Sequence, residues 1–561
     1  MALILTAFST HPVTGQATMT AERTKVVEFL AMRRQAVSDV RAGRGAAALQ
    51  AYLTLIEQNP VDSTLWLGLA HSYIQTNQPL EAIPALEKSL ELGAGTVAGP
   101  GFRHNVYIGL ARMHARLNDV DAMFTALNGA LASRLTDRTQ LTREPDFGRF
   151  LEDPRFMALV GQINDDHASR IQGWRSDLDL YEEEVRRMYI PTIKSPSPPA
   201  DFTEGLSGLR RQIKRMTDAE ITFELMRLTA LLGSGHSVLF PTPMASLSLQ
   251  SLPIDVYVFD DGIFIVGAAE PHTDLVGAEL LLIGDTAPDE LMAQVAPYLP
   301  RDNPMGIRWM APFMMGIPAL LAELGVIETD DDPITIKFQH EDQEPVSLSL
   351  QPGAPRMNRR LPPRNESGLL SDQRIDQPYW YTRVDPSTVY FQYNQILSDE
   401  KNPLPGFFSG LHGALMTDTK HLIIDLRRNN GGNSFYNRML VRSLIAFEMA
   451  SPSHRVTVLQ GRNTFSAAQN LATDIDRMTN ATFVGEPSGS SPNHVGEDSQ
   501  LLLPYSGLAV GIASRYFQAS DPTDDRIWIA PDIYAPPRAS DYFAGRDLAM
   551  TMALELGDTE R

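Results

Sequence analysis

Leu422-Ile-Ile-Asp-Leu-Arg-Arg-Asn-Asn-Gly-Gly432 is the stretch whose reading decides the fold. Leu422-Ile-Ile424 is an apolar run of the kind that forms a buried strand. Asp425-Leu-Arg-Arg-Asn-Asn-Gly-Gly432 carries that strand into a glycine turn, where bare backbone N–H groups can face a ligand. About one βα unit later, Val456-Thr-Val-Leu-Gln460 reads as the next strand, and Thr464-Phe-Ser-Ala-Ala-Gln469 places Ser466 at the start of a helix. A serine there can be a nucleophile, and helix-start N–H groups beside it can hold an oxyanion. Two such turns in one α/β pattern point to a serine hydrolase.

Outward from this pair, the chain divides by pattern. Residues 380–555 alternate strands and helices, as an α/β catalytic domain does. Residues 353–379 are rich in Pro and Arg and read as a linker. Residues 241–352 are β-rich, with alternation in Ile254-Asp-Val-Tyr-Val-Phe259 and Ile334-Thr-Ile-Lys-Phe338, and Asn303 to Leu324 forms a Met-rich helical insertion. Residues 170–240 read as a helical subdomain ending at Gly233-Ser-Gly-His-Ser237. Residues 22–165 read as helical repeats. Trp66, Leu69, Ala70, Tyr73, Ala82, Leu86 and Ser89 fall on the tetratricopeptide pattern of large and small positions, and Tyr107, Leu110, Ala111, His114, Ala122 and Leu127 repeat it. Gly93 to Pro100 reads as a loop insertion between the two units, and Asp146 to Phe156 as a closing segment. Repeats of this kind bury their faces against neighbours, which predicts a short solenoid, serving as a protein-binding surface or as a helical spacer.

Bulk properties narrow the partners. The 561 residues carry a net charge of −20, which argues against nucleic acid or an anionic membrane as the main partner. There is no cysteine, so disulfides, thiolate metal sites and a cysteine nucleophile are excluded. No apolar run reaches the length of a membrane span. Residues 1–21 read as a tail or as the remnant of a secretory signal. The expected location is periplasmic or secreted, with the cytoplasm left open. Histidines and acids lack metal-ligand spacing, and no glycine loop is followed by a phosphate-binding lysine, so no metal or cofactor is expected.

The motifs also resemble a family. Asp425 to Gly432, then Ser466-Ala-Ala-Gln469, then Val484-Gly-Glu-Pro-Ser488 follow the order and spacing of the C-terminal-processing (tail-specific) and tricorn-like serine peptidases. Gly233-Ser-Gly-His-Ser237 is similar to that family's Gly-His segment. The resemblance spans roughly residues 176–555 and rests on four motifs in order. Within that span it implies a PDZ-like β-rich module and a ClpP/crotonase-like α/β catalytic domain; with the tetratricopeptide-like solenoid and the helical subdomain read above, the expected chain is multidomain α+β. It also implies a peptide or protein substrate and leaves an oligomer open.

The base of such a site has to be read residue by residue. The family's bacterial branch uses a lysine whose position falls on Ser491 here, and no lysine occurs after Lys420. A downstream Ser–Lys dyad is therefore ruled out. His236 is the expected base, since the tricorn-like branch carries its base in that segment and an imidazole suits proton transfer at neutral pH. His494 is the runner-up. Counting back from Pro531-Asp-Ile533 places Asp525 at the family's late carboxylate, while Gly235 stands where tricorn-like chains have a serine. The N–H groups of Gly431 or Gly432, with that of Ala467, are the expected oxyanion hole. Two other readings stay open: a hydrophobic-ligand or peptide-binding protein on the same fold, and an esterase.

Overall fold

The structure, a computed structural model, describes residues 15–93, 102–162, 169–192, 195–242, 249–330, 332–356, 360–364 and 368–558. The chain forms two compact units, Met1–Asn164 and Asp165–Arg561.

The first unit is all helical. Helices α1 (Gly15–Arg41), α2 (Gly45–Gln58), α3 (Ser63–Gln75), α4 (Pro79–Glu91), α5 (Phe102–Arg116) and α6 (Val120–Ala132) each pack on the next. Close approach is set by large residues nesting on glycines. A Cβ on Gly68 would lie 2.2 Å from the Tyr52 ring, and one on Gly129 would lie 2.6 Å from Tyr107. Leu69, Ala70, Ala82, Leu86, Leu110, Ala111 and Leu127 are all buried in one core. The closing segment packs Phe147, Phe150 and Phe156 into that core. It is pinned by Asp146, which accepts from Arg112 Nε and Arg116 Nε at 2.8 Å each. A short helix, α7 (Pro154–Leu159), ends the described part of this unit. The helical boundary falls earlier than residue 22, because α1 begins at Gly15. The insertion expected within Gly93 to Pro100 lies, after Gly93, outside the described residues, as do residues 1–14 of the expected tail.

The second unit begins with α8 (Arg170–Met188), α9 (Ala200–Gln212) and α10 (Asp218–Ala230), followed by strand β1 (Val238–Pro241). A five-stranded antiparallel sheet comes next, in the order β2 (Ile254–Val258), β3 (Ile263–Ala268), β4 (Glu279–Ile283), β5 (Ile334–Gln339) and β6 (Val346–Leu350). Between β4 and β5 lie α11 (Pro288–Val295), α12 (Met305–Met314) and α13 (Pro318–Glu323), the last two forming the Met-rich insertion of Asn303 to Leu324. The three helices α8–α10 and this sheet share one core.

The remaining elements form the α/β layer. They are β7 (Tyr379–Arg383), β8 (Thr388–Tyr393), α14 (Leu404–Leu415), β9 (His421–Asp425), α15 (Asn437–Ala450), β10 (Arg455–Gln460), α16 (Ala467–Met478) and β11 (Thr482–Gly485). They continue with β12 (Asn493–Asp498), β13 (Leu501–Leu502), β14 (Leu508–Gly511), β15 (Ala513–Gln518), β16 (Ile533–Tyr534), α17 (Ala539–Ala544) and α18 (Leu548–Asp558). Six of these strands form a sheet in the order β16-β11-β10-β9-β8-β7. All neighbours are parallel except the edge strand β7. A parallel sheet needs cover on both faces, which is why its inner strands β8, β9 and β10 are buried almost throughout. Leu422 and Ile424 of β9 face a core shared with α14–α16, and Ile423 faces the α18 core. The Asp425 to Gly432 turn and the Ser466 turn therefore both leave the carboxyl ends of adjacent parallel strands, where open α/β sheets place their ligands.

Candidate active site

The two βα turns are stitched to each other by short-range contacts. Asn429 donates from Nδ2 to the Tyr393 carbonyl at 2.8 Å, and its Oδ1 accepts the Gly431 N–H at 2.9 Å. Its own carbonyl accepts the Phe465 N–H at 3.2 Å, and Thr464 Oγ1 donates to the Leu426 carbonyl at 3.1 Å. Arg427 sits between Asp425 and Asp547, donating to each, while Tyr390 donates to Asp425 at 2.8 Å. These side chains brace the turn. Gly431 and Gly432 have φ of 114° and 135°, a region that favours glycine. A Cβ on Gly431 would lie 2.7 Å from the Ser466 Cβ and 3.0 Å from the Ala467 nitrogen. The glycine turn thus lies against Ser466.

Ser466 has φ 55° and ψ −123°, a left-handed conformation that a non-glycine residue adopts only under constraint. It links the end of the β10 turn to the first residue of α16. Every residue from Val456 to Thr473 is buried except Ser466. The strain therefore lifts one hydroxyl out of an otherwise closed segment. The turn before it is anchored by Arg462, which makes a buried, bidentate pair with Glu486 at 2.8 and 2.9 Å and donates from Nη1 to the Val258 carbonyl at 2.8 Å. Burial alone would raise the Glu486 carboxyl, and the Arg462 guanidinium reverses this and holds it below the usual carboxylate value.

His236 reaches Ser466 from a sequence separation of 230 residues, with Nε2 3.0 Å from Oγ. The Gly233 to Ser237 loop is held by its serines. Ser234 Oγ donates to the Val495 carbonyl at 2.7 Å and accepts the His236 N–H at 3.1 Å, and Ser237 Oγ accepts the Ala513 N–H at 3.1 Å. Gly235, where the family has a serine, has a steric reason: a Cβ there would lie 2.8 Å from the Phe465 ring. That ring stacks on the His236 imidazole with centroids 4.6 Å apart. Burial pushes the imidazole of His236 down to about 4; Asp302 opposes this and His494 adds to it. Its Nδ1 is buried and has no partner among the described residues.

The remaining expected residues fall as follows. His494 lies parallel to His236 with centroids 6.1 Å apart, its Nδ1 on the Ser491 carbonyl at 3.1 Å; burial lowers its pKa as well. It is not hydrogen-bonded to Ser466. Ala467 begins α16 beside Ser466. Gly431 spends its N–H on Asn429, so of the two glycines Gly432 is the one without an acceptor among the described residues. Asp525 is exposed and forms no hydrogen bond or ion pair among the described residues, so it is not joined to His236. The carboxylate beside the histidine segment is Asp302, whose Oδ1 accepts the Gly235 N–H at 2.7 Å and whose Oδ2 accepts from Ser490 Oγ. Sequence reasoning missed Asp302 and Phe465. Phe465 adjoins the nucleophile and could have been questioned there; Asp302, in Leu299-Pro-Arg-Asp-Asn-Pro304, carries no local signal.

No protein-family model and no curated protein matches this sequence. Solved structures do resemble it. Mature CPAF complexed with lactacystin matches with a TM-score of 0.50 at 12% identity, covering 69% of this chain and 97% of that one. The photosystem II D1 C-terminal processing protease matches at 0.32 and 13%, covering 64% and 94%. The tricorn protease matches at 0.33 and 10%, covering 68% and 36%. Two of these names, a C-terminal processing protease and the tricorn protease, are of the kinds that the sequence motifs resemble. At such identities the likeness is one of fold.

Proposed function

We propose that this chain is a serine peptidase that cleaves peptide bonds through an acyl-enzyme on Ser466. The observation that carries the reading is the 3.0 Å approach of His236 Nε2 to Ser466 Oγ, on a hydroxyl raised by a left-handed backbone. His236 takes the Ser466 proton as Oγ attacks the scissile carbonyl carbon. The oxyanion that forms is held by the backbone N–H groups of Gly432 and Ala467. His236 then gives its proton to the leaving amine, and the C–N bond breaks. A water molecule, deprotonated by the same imidazole, hydrolyses the ester and returns the serine. A depressed imidazole pKa keeps the base neutral at physiological pH.

The substrate is a peptide or protein, and the helical unit recruits a protein partner. No described helix is long and apolar enough to cross a membrane. A periplasmic or secreted location accords with the family resemblance. The decisive test is labelling by a fluorophosphonate probe followed by digestion of peptide libraries. Labelling of wild type that is lost in Ser466→Ala and His236→Ala, with cleavage of peptides, supports the reading. No labelling of folded wild type overturns it in favour of a binding protein on this fold, and labelling with ester but no peptide turnover makes it an esterase.

A further inference from the structure

The hydrogen bonds around Asp302 tie together three segments distant in sequence. Its Oδ1 accepts the N–H of Gly235, the residue before His236, at 2.7 Å. Its Oδ2 accepts the hydroxyl proton of Ser490, four residues before His494. The next residue fixes the same segment: Asn303 Nδ2 donates to the Ser488 and Ile527 carbonyls at 3.0 and 2.8 Å, and its Oδ1 accepts the Met305 N–H at 2.9 Å. The carboxylate is therefore held at both oxygens, and its backbone is clamped alongside.

The surroundings of His236 contain little else that is charged. Ser466 lies on Nε2, the Phe465 ring covers one face, and the ring of His494 lies parallel at 6.1 Å. A Cβ on Gly496 would lie 3.3 Å from the His236 Cε1. Of the titratable groups facing the imidazole, His494 is buried and resists protonation, and Asp302 is the one whose charge opposes the effect of burial.

We propose that Asp302 is the acidic positioning residue of this site. The inference rests on Ser466 and His236 being nucleophile and base. Asp302 does not touch the reacting atoms. Through the Gly235 N–H it sets where the imidazole stands. Its charge stabilises the imidazolium that forms when the proton passes from Ser466 Oγ to His236 Nε2. The same carboxylate, through Ser490, couples the histidine loop to the segment leading into His494.

The test is the rate at which a fluorophosphonate modifies Ser466 across a range of pH. In that step the Oγ–P bond forms, fluoride leaves, and the serine proton goes to His236. Asp302→Asn keeps an oxygen for the Gly235 N–H and removes the charge. The plateau rate is expected to fall about tenfold or more, and the acid limb to move to lower pH, because an imidazolium without its counter-charge loses its proton more readily. A change in packing alone would not move that limb. Should Asp302→Asn fail to fold, Ser490→Ala leaves the charge and frees one carboxylate oxygen. There the plateau is expected to drop several-fold, and a wild-type plateau overturns the proposal. Wild-type plateau and limb in folded Asp302→Asn overturn it too, as does loss of rate in Asp525→Asn with Asp302→Asn unaffected. If His236→Ala labels as fast as wild type, the dyad itself is wrong and the role of Asp302 falls with it; a wild type that labels through His236 while Asp302→Asn labels at the wild-type rate refutes Asp302 alone.

Discussion

The two halves of the site are built in different ways. Ser466 and the Gly431-Gly432 turn stand on adjacent parallel strands, and their bracing comes mostly from within a span of residues 393–489. His236 hangs from a loop after α10 and is located by Val495, Ala513 and Asp302, which belong to three other segments. The first half is rigid because a close-packed parallel sheet fixes it. The second is only as well placed as the contacts between separate elements allow. Ser466 is set by local topology, whereas His236 is delivered by tertiary structure.

Removing either side chain tests the comparison most severely. Ser466→Ala should abolish fluorophosphonate labelling, and His236→Ala should slow it by about 10³-fold or more while the protein stays folded. Equal losses would mean that the two halves act as one unit. Next in size is the anchor of the Ser466 turn. Arg462→Met leaves Glu486 buried without its partner and releases the Val258 carbonyl, which should cost about 3–5 kcal/mol in denaturant unfolding. Gly431→Ala brings a Cβ to 2.7 Å from that of Ser466 at a φ of 114°. It should lose about 1–3 kcal/mol of stability and slow labelling, while leaving the His236 half intact in hydrogen exchange.

The pH response separates the halves more gently. The His236 imidazole falls from 6.5 to about 4 on folding, so it resists protonation in the native state. Between these values the unfolded chain binds the proton that the folded chain refuses, and stability should decrease as pH drops from 6.5 toward 4, then level off for this group. His494 acts in the same direction. The melting temperature of His236→Gln should therefore vary less between pH 7 and pH 5 than that of wild type. The smallest effect concerns the backbone alone: Ser466→Gly should be more stable than Ser466→Ala by about 1 kcal/mol, because glycine accepts a φ of 55° that alanine resists.

What could be read from the sequence follows the same division. The apolar run Leu422-Ile-Ile424, the Gly-Gly turn and the serine at a helix start announce a strand–turn–helix architecture, since each is local chemistry. His236 was legible through its motif and the absence of downstream lysine. Asp525 was placed by counting along the chain, and the structure leaves it exposed and unconnected to the imidazole. Counting fails there because the partner of the histidine loop is set by how a helical insertion docks onto the α/β layer. Gly431 was offered as an oxyanion donor on conformational grounds. Its N–H goes to Asn429 instead, a side-chain contact that no periodicity encodes.

The torsion at Ser466 also limits what chemistry this scaffold can acquire. At a φ of 55° a second substituent on Cβ crowds the backbone, so a threonine nucleophile is disfavoured however well its hydroxyl is aimed. A cysteine has the single Cβ substituent that the turn accepts. Ser466→Cys changes one side-chain atom, in a chain that contains no other cysteine to compete for a thiol reagent.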